Sequence, residues 1–239
     1  MSKFDTVIVS DVHLGSKISR AKELLAELRK IRKKHGFRRL ILLGDIFDDS
    51  KFFTDPTFSK FPKSHRRLLK YWRALANSGK VELIWVEGNH DRGIINLVSP
   101  FVIGQRVMEF SWEYNGEKFI ATHGDKFDKF VANESLSSRA TQLYVFLQGL
   151  DLEDPKFSRW LERKVTWRIR KHLSAVMPGL AVEHARRFGA ENIICGHSHI
   201  PVQRRVIDNV NYYNTGSFVE HPATYITVGK EGVVLHEVK

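Results

Sequence analysis

Several short apolar runs in this chain end in polar clusters made of Asp, Asn and His. Residues 6–9 lead into Asp11 and His13, and residues 40–43 lead into Asp45. Apolar runs of this length are typical of strands that are buried on both faces of a sheet. Because ligands of α/β sheets gather beyond the carboxyl ends of the strands, the pattern predicts a polar site at one sheet edge.

Three further clusters repeat this arrangement along the chain. They are Asn89 and His90 after residues 81–86, His123 after residues 112–122, and His197 and His199 after residues 192–195. Each cluster alone is common in proteins without a ligand. Together they would place many polar groups in partly desolvated surroundings, a cost that bound cations would offset. The donors are carboxylate, carboxamide and imidazole groups, a set that suits Mn²⁺, Fe or Zn²⁺.

The first half of the chain alternates predicted strands and helices. Apolar residues at helical spacing predict helices over residues 19–35 and 64–77. The order strand, helix, strand, helix, strand predicts a partly parallel sheet with right-handed crossovers. In the second half, turn sequences predict hairpins at residues 115–116, 208–209 and 229–232. We therefore predict an α/β fold in which two mixed sheets pack together and helices flank them.

The chain between His123 and His197 is longer than a connection between strands requires. Asp154 followed by Pro155 is a strong helix start signal. An apolar stripe at helical spacing follows, and we expect this helix to end at residues 178–179. The sequence thus predicts a single domain over residues 1–239 with a helical cap inserted at about residues 126–179.

The net charge of +11 favours anionic partners. The basic segment 156–187 contains Trp160 and Trp167, so we expect its helix to line a lipid-binding cleft, to contact an anionic membrane or to be a solvated face. A single cysteine, Cys195, cannot form an internal disulfide. No apolar run approaches a membrane span, and the early first strand leaves no room for a signal peptide. The predicted location is the cytoplasm, with peripheral contact at the inner membrane face as an option.

In order and spacing, the five clusters resemble the D-x-H, G-D-x-x-D, G-N-H-D, H and G-H-x-H blocks of the calcineurin-like metallophosphoesterase superfamily. The resemblance covers residues 11–199. Residues 123–128, the helical insert and residues 213–220 are most similar to the UDP-2,3-diacylglucosamine hydrolases and their relatives. The resemblance implies an αββα metallophosphoesterase sandwich and a phosphoesterase that uses two divalent metal ions, with Mn²⁺ expected first and Fe or Zn²⁺ as alternatives.

The ligand pattern of the superfamily implies two metal sites that share Asp45. The first site would consist of Asp11, His13, Asp45 and His199, and the second of Asp45, Asn89, His123 and His197. The resemblance further implies that a water molecule activated by the two cations attacks phosphorus in line.

The resemblance also assigns catalytic roles outside the metal ligands. His90 would protonate or stabilise the leaving-group oxygen, Asp48 would orient His90, and Asn89 would belong to the catalytic group as well as to the ligands. Asp91 and Asp125 lie beside these residues, and we expect them to brace the loops that carry the site.

The chain departs from the UDP-2,3-diacylglucosamine hydrolases at two positions. It has His90 where those enzymes usually have Arg, and Ser217 where they commonly have Asp. An imidazole can shuttle a proton near neutral pH, whereas a guanidinium cannot. His90 therefore favours the general phosphoesterase pattern over the specific lipid substrate.

Three function classes are compatible with these features. The first is a hydrolase of a phosphodiester or pyrophosphate bond in a nucleotide-linked or phospho-lipid such as UDP-2,3-diacylglucosamine. Its expected partner is a phosphorylated small-molecule or lipid substrate. The second is a nuclease or cyclic-nucleotide phosphodiesterase; nucleic acid is the less favoured partner because the basic stretch lies on an amphipathic helix and not along a stripe with stacking aromatics. The third is a non-catalytic scaffold on the same fold, which would be expected to lack ligands that this chain retains.

Overall fold

Two β-sheets form the centre of the molecule. The computed structural model describes residues 3–48, 61–92, 104–128 and 155–238, with the backbone alone for 155–169. The strands are β1 Phe4–Val9, β2 Phe37–Leu43, β3 Glu82–Val86, β4 Gln105–Val107, β5 Glu109–Tyr114, β6 Glu117–Thr122, β7 Asn192–Cys195, β8 Val202–Ile207, β9 Val210–Asn214, β10 Ala223–Gly229 and β11 Gly232–Val238. The helices are α1 Ala21–Lys34, α2 Lys63–Asn77 and α3 Pro155–Arg187, with a 3₁₀ turn at Asp125–Phe127.

Both sheets mix parallel and antiparallel pairs. The first sheet has the order β11-β10-β1-β2-β3-β4, in which β1 to β4 are parallel neighbours and β10 is antiparallel to β1. The second sheet has the order β5-β6-β7-β9-β8, with β6, β7 and β9 parallel. The predicted parallel half followed by hairpins is therefore confirmed.

The central strands of the first sheet contribute side chains to two separate cores. In β2, Leu40 and Leu42 are buried with the residues of α1 and α2, whereas Ile41 and Leu43 are buried against the second sheet. This division follows from the alternation of side chains along a strand. Because both faces of the sheet are covered, the sequences of these strands are continuous apolar runs. The layers are thus helices, sheet, sheet and helix, as predicted.

Helix α3 covers the outer face of the second sheet. Met177, Ala181, Val182 and Ala185 are fully or almost fully buried against strands β6, β7 and β9. Three of these four side chains are small or β-branched, which allows the helix to approach the sheet closely. This packing uses the part of the helix that follows Pro178, which lies in its interior.

The prediction that this helix ends at residues 178–179 is wrong, because α3 continues to Arg187. A proline inside a helix removes one backbone hydrogen bond and costs roughly 3 kcal/mol. Burial of the apolar residues on both sides of Pro178 offsets that cost, a contribution that the local sequence signal does not contain. Residues 129–154 of the predicted cap lie outside the described part of the chain, and the extent of the insertion stays a prediction.

Most predicted elements are confirmed, with shifts of a few residues at their ends. The hairpin turns predicted at residues 115–116 and 208–209 have positive φ at both central positions, as a type I′ turn requires. Strand β4 was not predicted, since it has three residues and an exposed, charged sequence. Among the described helices, none combines the length and the apolar character that crossing a bilayer requires.

Asp91 joins the loops that follow β2 and β3, and the predicted bracing role is confirmed. Its Oδ1 accepts hydrogen bonds from the backbone N–H groups of Ile46 at 3.0 Å and Phe47 at 3.2 Å. Its Oδ2 accepts from the Gly88 N–H at 3.1 Å and lies 3.4 Å from the indole Nε1 of Trp85. Because all four partners are donors, only a group with two acceptor oxygens satisfies them.

We expect Asp91→Asn to destabilise the protein although the two side chains have the same shape. The amide nitrogen would face two donors, and each buried donor without an acceptor costs about 1–3 kcal/mol. Urea unfolding of the metal-free protein measures the loss, with Asp208→Asn in the exposed turn after β8 as the matched control. An unfolding midpoint of Asp91→Asn equal to that of the control would contradict the bracing role.

Candidate metal centre

The predicted metal ligands occupy unusual backbone conformations. Eight non-glycine residues of the described chain have positive φ, and five of these are Asp11, His13, Asp45, His197 and His199. The other three lie in hairpin turns. Left-handed backbone costs a non-glycine residue roughly 1–2 kcal/mol, and such conformations concentrate at functional sites. The loops after β1, β2 and β7 therefore turn sharply where they carry the residues of the two ligand clusters.

The first cluster consists of Asp11, His13 and His199. One ligand atom from each residue lies within 4.8 Å of the others. The Nε2 of His199 lies 3.0 Å from Oδ1 of Asp11. Asp11 is further fixed by its Oδ2, which accepts hydrogen bonds from the Ser10 hydroxyl and from the backbone N–H of His197.

The second cluster consists of Asp45, His123 and His197, whose ligand atoms again lie within 4.8 Å of one another. The Nε2 of His123 lies 3.2 Å from Oδ2 of Asp45. The other carboxylate oxygen, Oδ1, accepts a hydrogen bond from the backbone N–H of His90 at 3.0 Å. Asn89 and His90 lie in the loop after β3 and line the same pocket as members of both clusters.

Buried polar atoms without a hydrogen-bond partner are concentrated in this centre. Five of the eight such atoms in the described chain belong to predicted ligands: Oδ1 of Asp11, Nε2 of His13, Oδ1 of Asn89, Nε2 of His123 and Nδ1 of His199. A buried donor or acceptor without a partner is costly, so these atoms require another partner. Nδ1 of His199 faces Glu220, but the other four atoms are carboxylate, amide and imidazole atoms of the kind that bind divalent cations. The residues present therefore fit two divalent metal ions.

The imidazoles use one nitrogen for the cluster and the other for an acceptor outside it. His123 has its Nδ1 3.0 Å from the carbonyl oxygen of Leu43, and His197 has its Nε2 3.1 Å from Oδ2 of Asp128. Such outer partners fix the tautomer and the ring orientation of metal-binding histidines. Asp128 is buried, and no sequence signal predicted its contact with His197.

The metal-free centre is held together by charge. Burial opposes ionisation of Asp11, but the adjacent His199 lowers the pKa of Asp11 to about 2. Burial likewise disfavours a charged His123, but the carboxylate of Asp45 raises the pKa of His123 to about 10. Without a cation, protonated imidazoles therefore neutralise the carboxylates. A bound cation replaces these protons, so that metal binding and protonation compete.

The two clusters share one pocket of about 440 Å³. Asp48 and His90 line it together with five of the seven predicted ligands, whereas Asp11 and His123 are fully buried and do not line it. The structure thus brings every predicted catalytic residue to the same cavity. Ile18, Arg170, Leu173 and Val219 form the remaining, non-ligand part of the lining, together with Ser16 and Asp128. None of these six residues was predicted as a site residue, because no polar strand end marks them.

Three other residues named from the sequence lie outside the ligand clusters. Ser217 is buried, and its hydroxyl accepts a hydrogen bond from the backbone N–H of Glu220. Cys195 is fully buried, and burial raises the pKa of its thiol. Asp125 is buried and accepts a hydrogen bond from Arg92 at 2.6 Å, which confirms that it braces the loop after β3.

The sequence matches the calcineurin-like phosphoesterase family over residues 4–201. The chain belongs to this family. Its match covers both sheets' central strands and every predicted metal ligand, and the family implies a metal-dependent hydrolase that uses divalent ions. A comparison with curated proteins finds no match.

Solved structures share the fold at low sequence identity. The phosphoesterase Yfce from E. coli is 16% identical, with 98% of this chain and 99% of that chain covered and a TM-score of 0.50. Vps29 from Chaetomium thermophilum is 10% identical, with 100% and 97% covered and a TM-score of 0.50. Likenesses at this identity show the fold alone, and they include both a phosphoesterase and a vacuolar sorting protein.

We expect Asp45→Asn to lower metal occupancy at both sites, because Asp45 is predicted to be the ligand they share. Metal-reconstituted wild-type protein should contain about two divalent ions per chain, measured by mass spectrometry of the dialysed protein. Asp11→Asn removes a carboxylate from one cluster and serves as the comparison, with one site retained. If Asp45→Asn kept as much metal as the wild type, Asp45 would not be shared.

Proposed function

We propose that this protein hydrolyses a phosphodiester or pyrophosphate bond in a nucleotide-linked or phospho-lipid such as UDP-2,3-diacylglucosamine. The observation that supports the proposal is one pocket lined by His90 and by members of both ligand clusters. Two divalent cations bound there would activate water and neutralise charge on the phosphoryl group. Side chains of the protein would then have to stabilise the leaving group.

His90 is the residue we assign to the leaving group. Its backbone N–H is fixed by Asp45, and its ring lies edge-to-face with that of His13, with centroids 5.2 Å apart. The side chain is partly exposed to the pocket, with 39% of its surface accessible. An imidazole held in this way can donate a proton to the oxygen that leaves phosphorus. Asp48 lines the same cavity, which supports its proposed role in orienting His90.

Apolar side chains beside the clusters support an acylated substrate. Ile18 is 63% exposed although it is large and apolar, and it lines the pocket with Leu173 and Val219. A phosphoryl group at the clusters would leave the adjoining part of a lipid substrate against these residues. Each methylene that they bury contributes about 0.8 kcal/mol to binding.

The alternative functions make different demands on the site. A scaffold, the reading that likeness to Vps29 allows, needs no ligands, whereas all seven predicted ligands are present here. A nuclease would use the positive charge to contact phosphates, and its activity would fall steeply as the salt concentration rises. Hydrolysis of an acylated UDP-sugar, a simple diester, a phosphomonoester and single-stranded DNA by the metal-loaded protein separates these functions.

We expect His90→Ala to retain its metals and to lower kcat by about 10²–10⁴, the usual contribution of a general acid. The loss should shrink for diesters with good leaving groups, because these depart without a proton. The kinetics of a leaving-group series measure this, with His35→Ala at the exposed end of α1 as the matched control. An equal loss for all leaving groups would make His90 a binding residue and contradict its role as an acid.

We expect Ile18→Ser to raise KM for an acylated substrate roughly 10-fold and to leave a small diester unaffected, since a buried Ile side chain contributes about 1.5–3 kcal/mol. The exposed position should make the change neutral for stability. Val206→Ser, at a residue 57% exposed on β8, is the matched control. If neither acyl length nor Ile18→Ser affected hydrolysis, the lipid substrate would be excluded. The protein would still be a phosphoesterase.

A further inference from the structure

The carboxylate of Glu220 faces the buried nitrogen of His199 that has no hydrogen-bond partner. Oε1 of Glu220 lies 3.9 Å from Nδ1 of His199, and the opposite ring nitrogen, Nε2, lies 3.0 Å from Asp11. His199 therefore directs one nitrogen into the first metal cluster and the other towards Glu220. Glu220 itself belongs to neither cluster.

His123 and His197 have the same arrangement with their acceptors already at hydrogen-bond distance. Their outer partners are the carbonyl oxygen of Leu43 and the carboxylate of Asp128. Glu220 occupies the equivalent place for His199, but it lies on the surface, with 44% of its side chain accessible. An exposed carboxylate has many rotamers, so it can orient an imidazole only if other groups hold it.

Three contacts restrict Glu220. A guanidinium nitrogen of Arg170 donates a hydrogen bond to Oε1, the oxygen that faces His199. The backbone N–H of Glu220 donates to the Ser217 hydroxyl at 3.2 Å. Arg20 contacts the Glu220 carbonyl oxygen at 3.5 Å. Arg170 belongs to α3, so this pair connects the long helix with the first metal cluster.

We infer that Glu220 is a positioning residue that orients His199 for metal binding, and that Arg170 holds Glu220 in place. When Nε2 of His199 binds a cation, Nδ1 carries the proton, and the carboxylate of Glu220 accepts it in a hydrogen bond. This inference rests on the proposed function only in requiring that the first cluster binds a divalent metal ion. It makes α3 part of the support of the metal centre and not only a wall of the pocket.

Manganese binding tests the role of Glu220 directly. The metal-free protein is titrated with Mn²⁺, and the free ion is followed by electron paramagnetic resonance. Loss of an outer-shell partner lowers metal affinity by about 10- to 100-fold, so Glu220→Ala should bind one of its two ions that much more weakly. Glu220→Gln keeps an acceptor oxygen without the charge and should lose less. Glu231→Ala, which removes an exposed glutamate paired with Lys3, is the control.

A double-mutant cycle tests the role of Arg170. Arg170→Gln should weaken the same Mn²⁺ site, and the Arg170→Gln/Glu220→Ala double variant should be no weaker than Glu220→Ala alone, because Arg170 acts through Glu220. Unchanged Mn²⁺ affinity of Arg170→Gln with a raised KM would instead make Arg170 a substrate-binding residue and overturn its part of the inference. Wild-type Mn²⁺ affinity in Glu220→Ala would overturn the whole inference.

The experiments distinguish a protein that is not a phosphoesterase from one in which Glu220 does not position His199. A protein that hydrolyses none of the tested phosphoesters can still bind Mn²⁺, and Glu220→Ala would still weaken that binding if the inference holds. Conversely, full hydrolysis with unaltered Mn²⁺ affinity in Glu220→Ala would keep the phosphoesterase and reject the positioning role. Urea unfolding of the metal-free variants should match that of Glu231→Ala, because a partly exposed side chain at the pocket contributes little to stability.

Discussion

The burial of two carboxylates, Asp11 and Asp45, at the edge where the strands end is the constraint on which the rest of this structure depends. Both side chains are almost inaccessible to solvent. An isolated buried charge is strongly unfavourable, so each carboxylate requires either a protonated imidazole or a cation within a few ångströms. The surrounding histidines supply both options, since a neutral imidazole is a metal ligand and a protonated one is a counter-ion.

The need to surround the buried carboxylates with imidazoles determines the backbone conformation of the ligand loops. The ligand loops use left-handed conformations, and two glycines permit the loops to approach one another. A Cβ atom at Gly44 would lie 2.4 Å from the ring of His123, and one at Gly88 would lie 2.2 Å from Oδ1 of Asp45. The carboxylate of Asp91 then fixes the loops by accepting their N–H groups. The ligand loops thus pack closely because they must bring the carboxylates and imidazoles of the metal centre together.

The centre connects parts of the chain that are distant in sequence. The ligands come from both sheets, which pack face to face through the core that contains Ile41 and Ile194. Helix α3 packs on the second sheet with its last turns and contributes Arg170 and Leu173 to the pocket. The same helix therefore contributes to the core and to the wall beside the metal clusters. A substrate larger than a phosphoryl group would contact it.

The sequence by itself determined most of the strands, the parallel first half of the fold and the positions of the ligands in the chain. Apolar runs such as residues 40–43 and the polar residues that end them are local signals, and a strand's direction fixes which end carries the site. Asp91 and Asp125 were also predictable, because they adjoin ligands. The tertiary structure alone decided the outer partners of the histidines. Asp128 lies 69 residues from His197 in the chain, and no periodicity relates the two.

The tertiary structure also decided the path of α3 and the conformation of the ligands. Pro178 is a strong stop signal over a window of a few residues, but the core beneath it supplies apolar contacts that no such window contains. The positive φ angles of residues such as Asp45 have the same origin, since the assembled sheets and the shared charge hold a backbone that is locally unfavourable. Local sequence preferences determine where helices and strands form. Burial in the assembled fold determines which locally unfavourable backbone conformations persist.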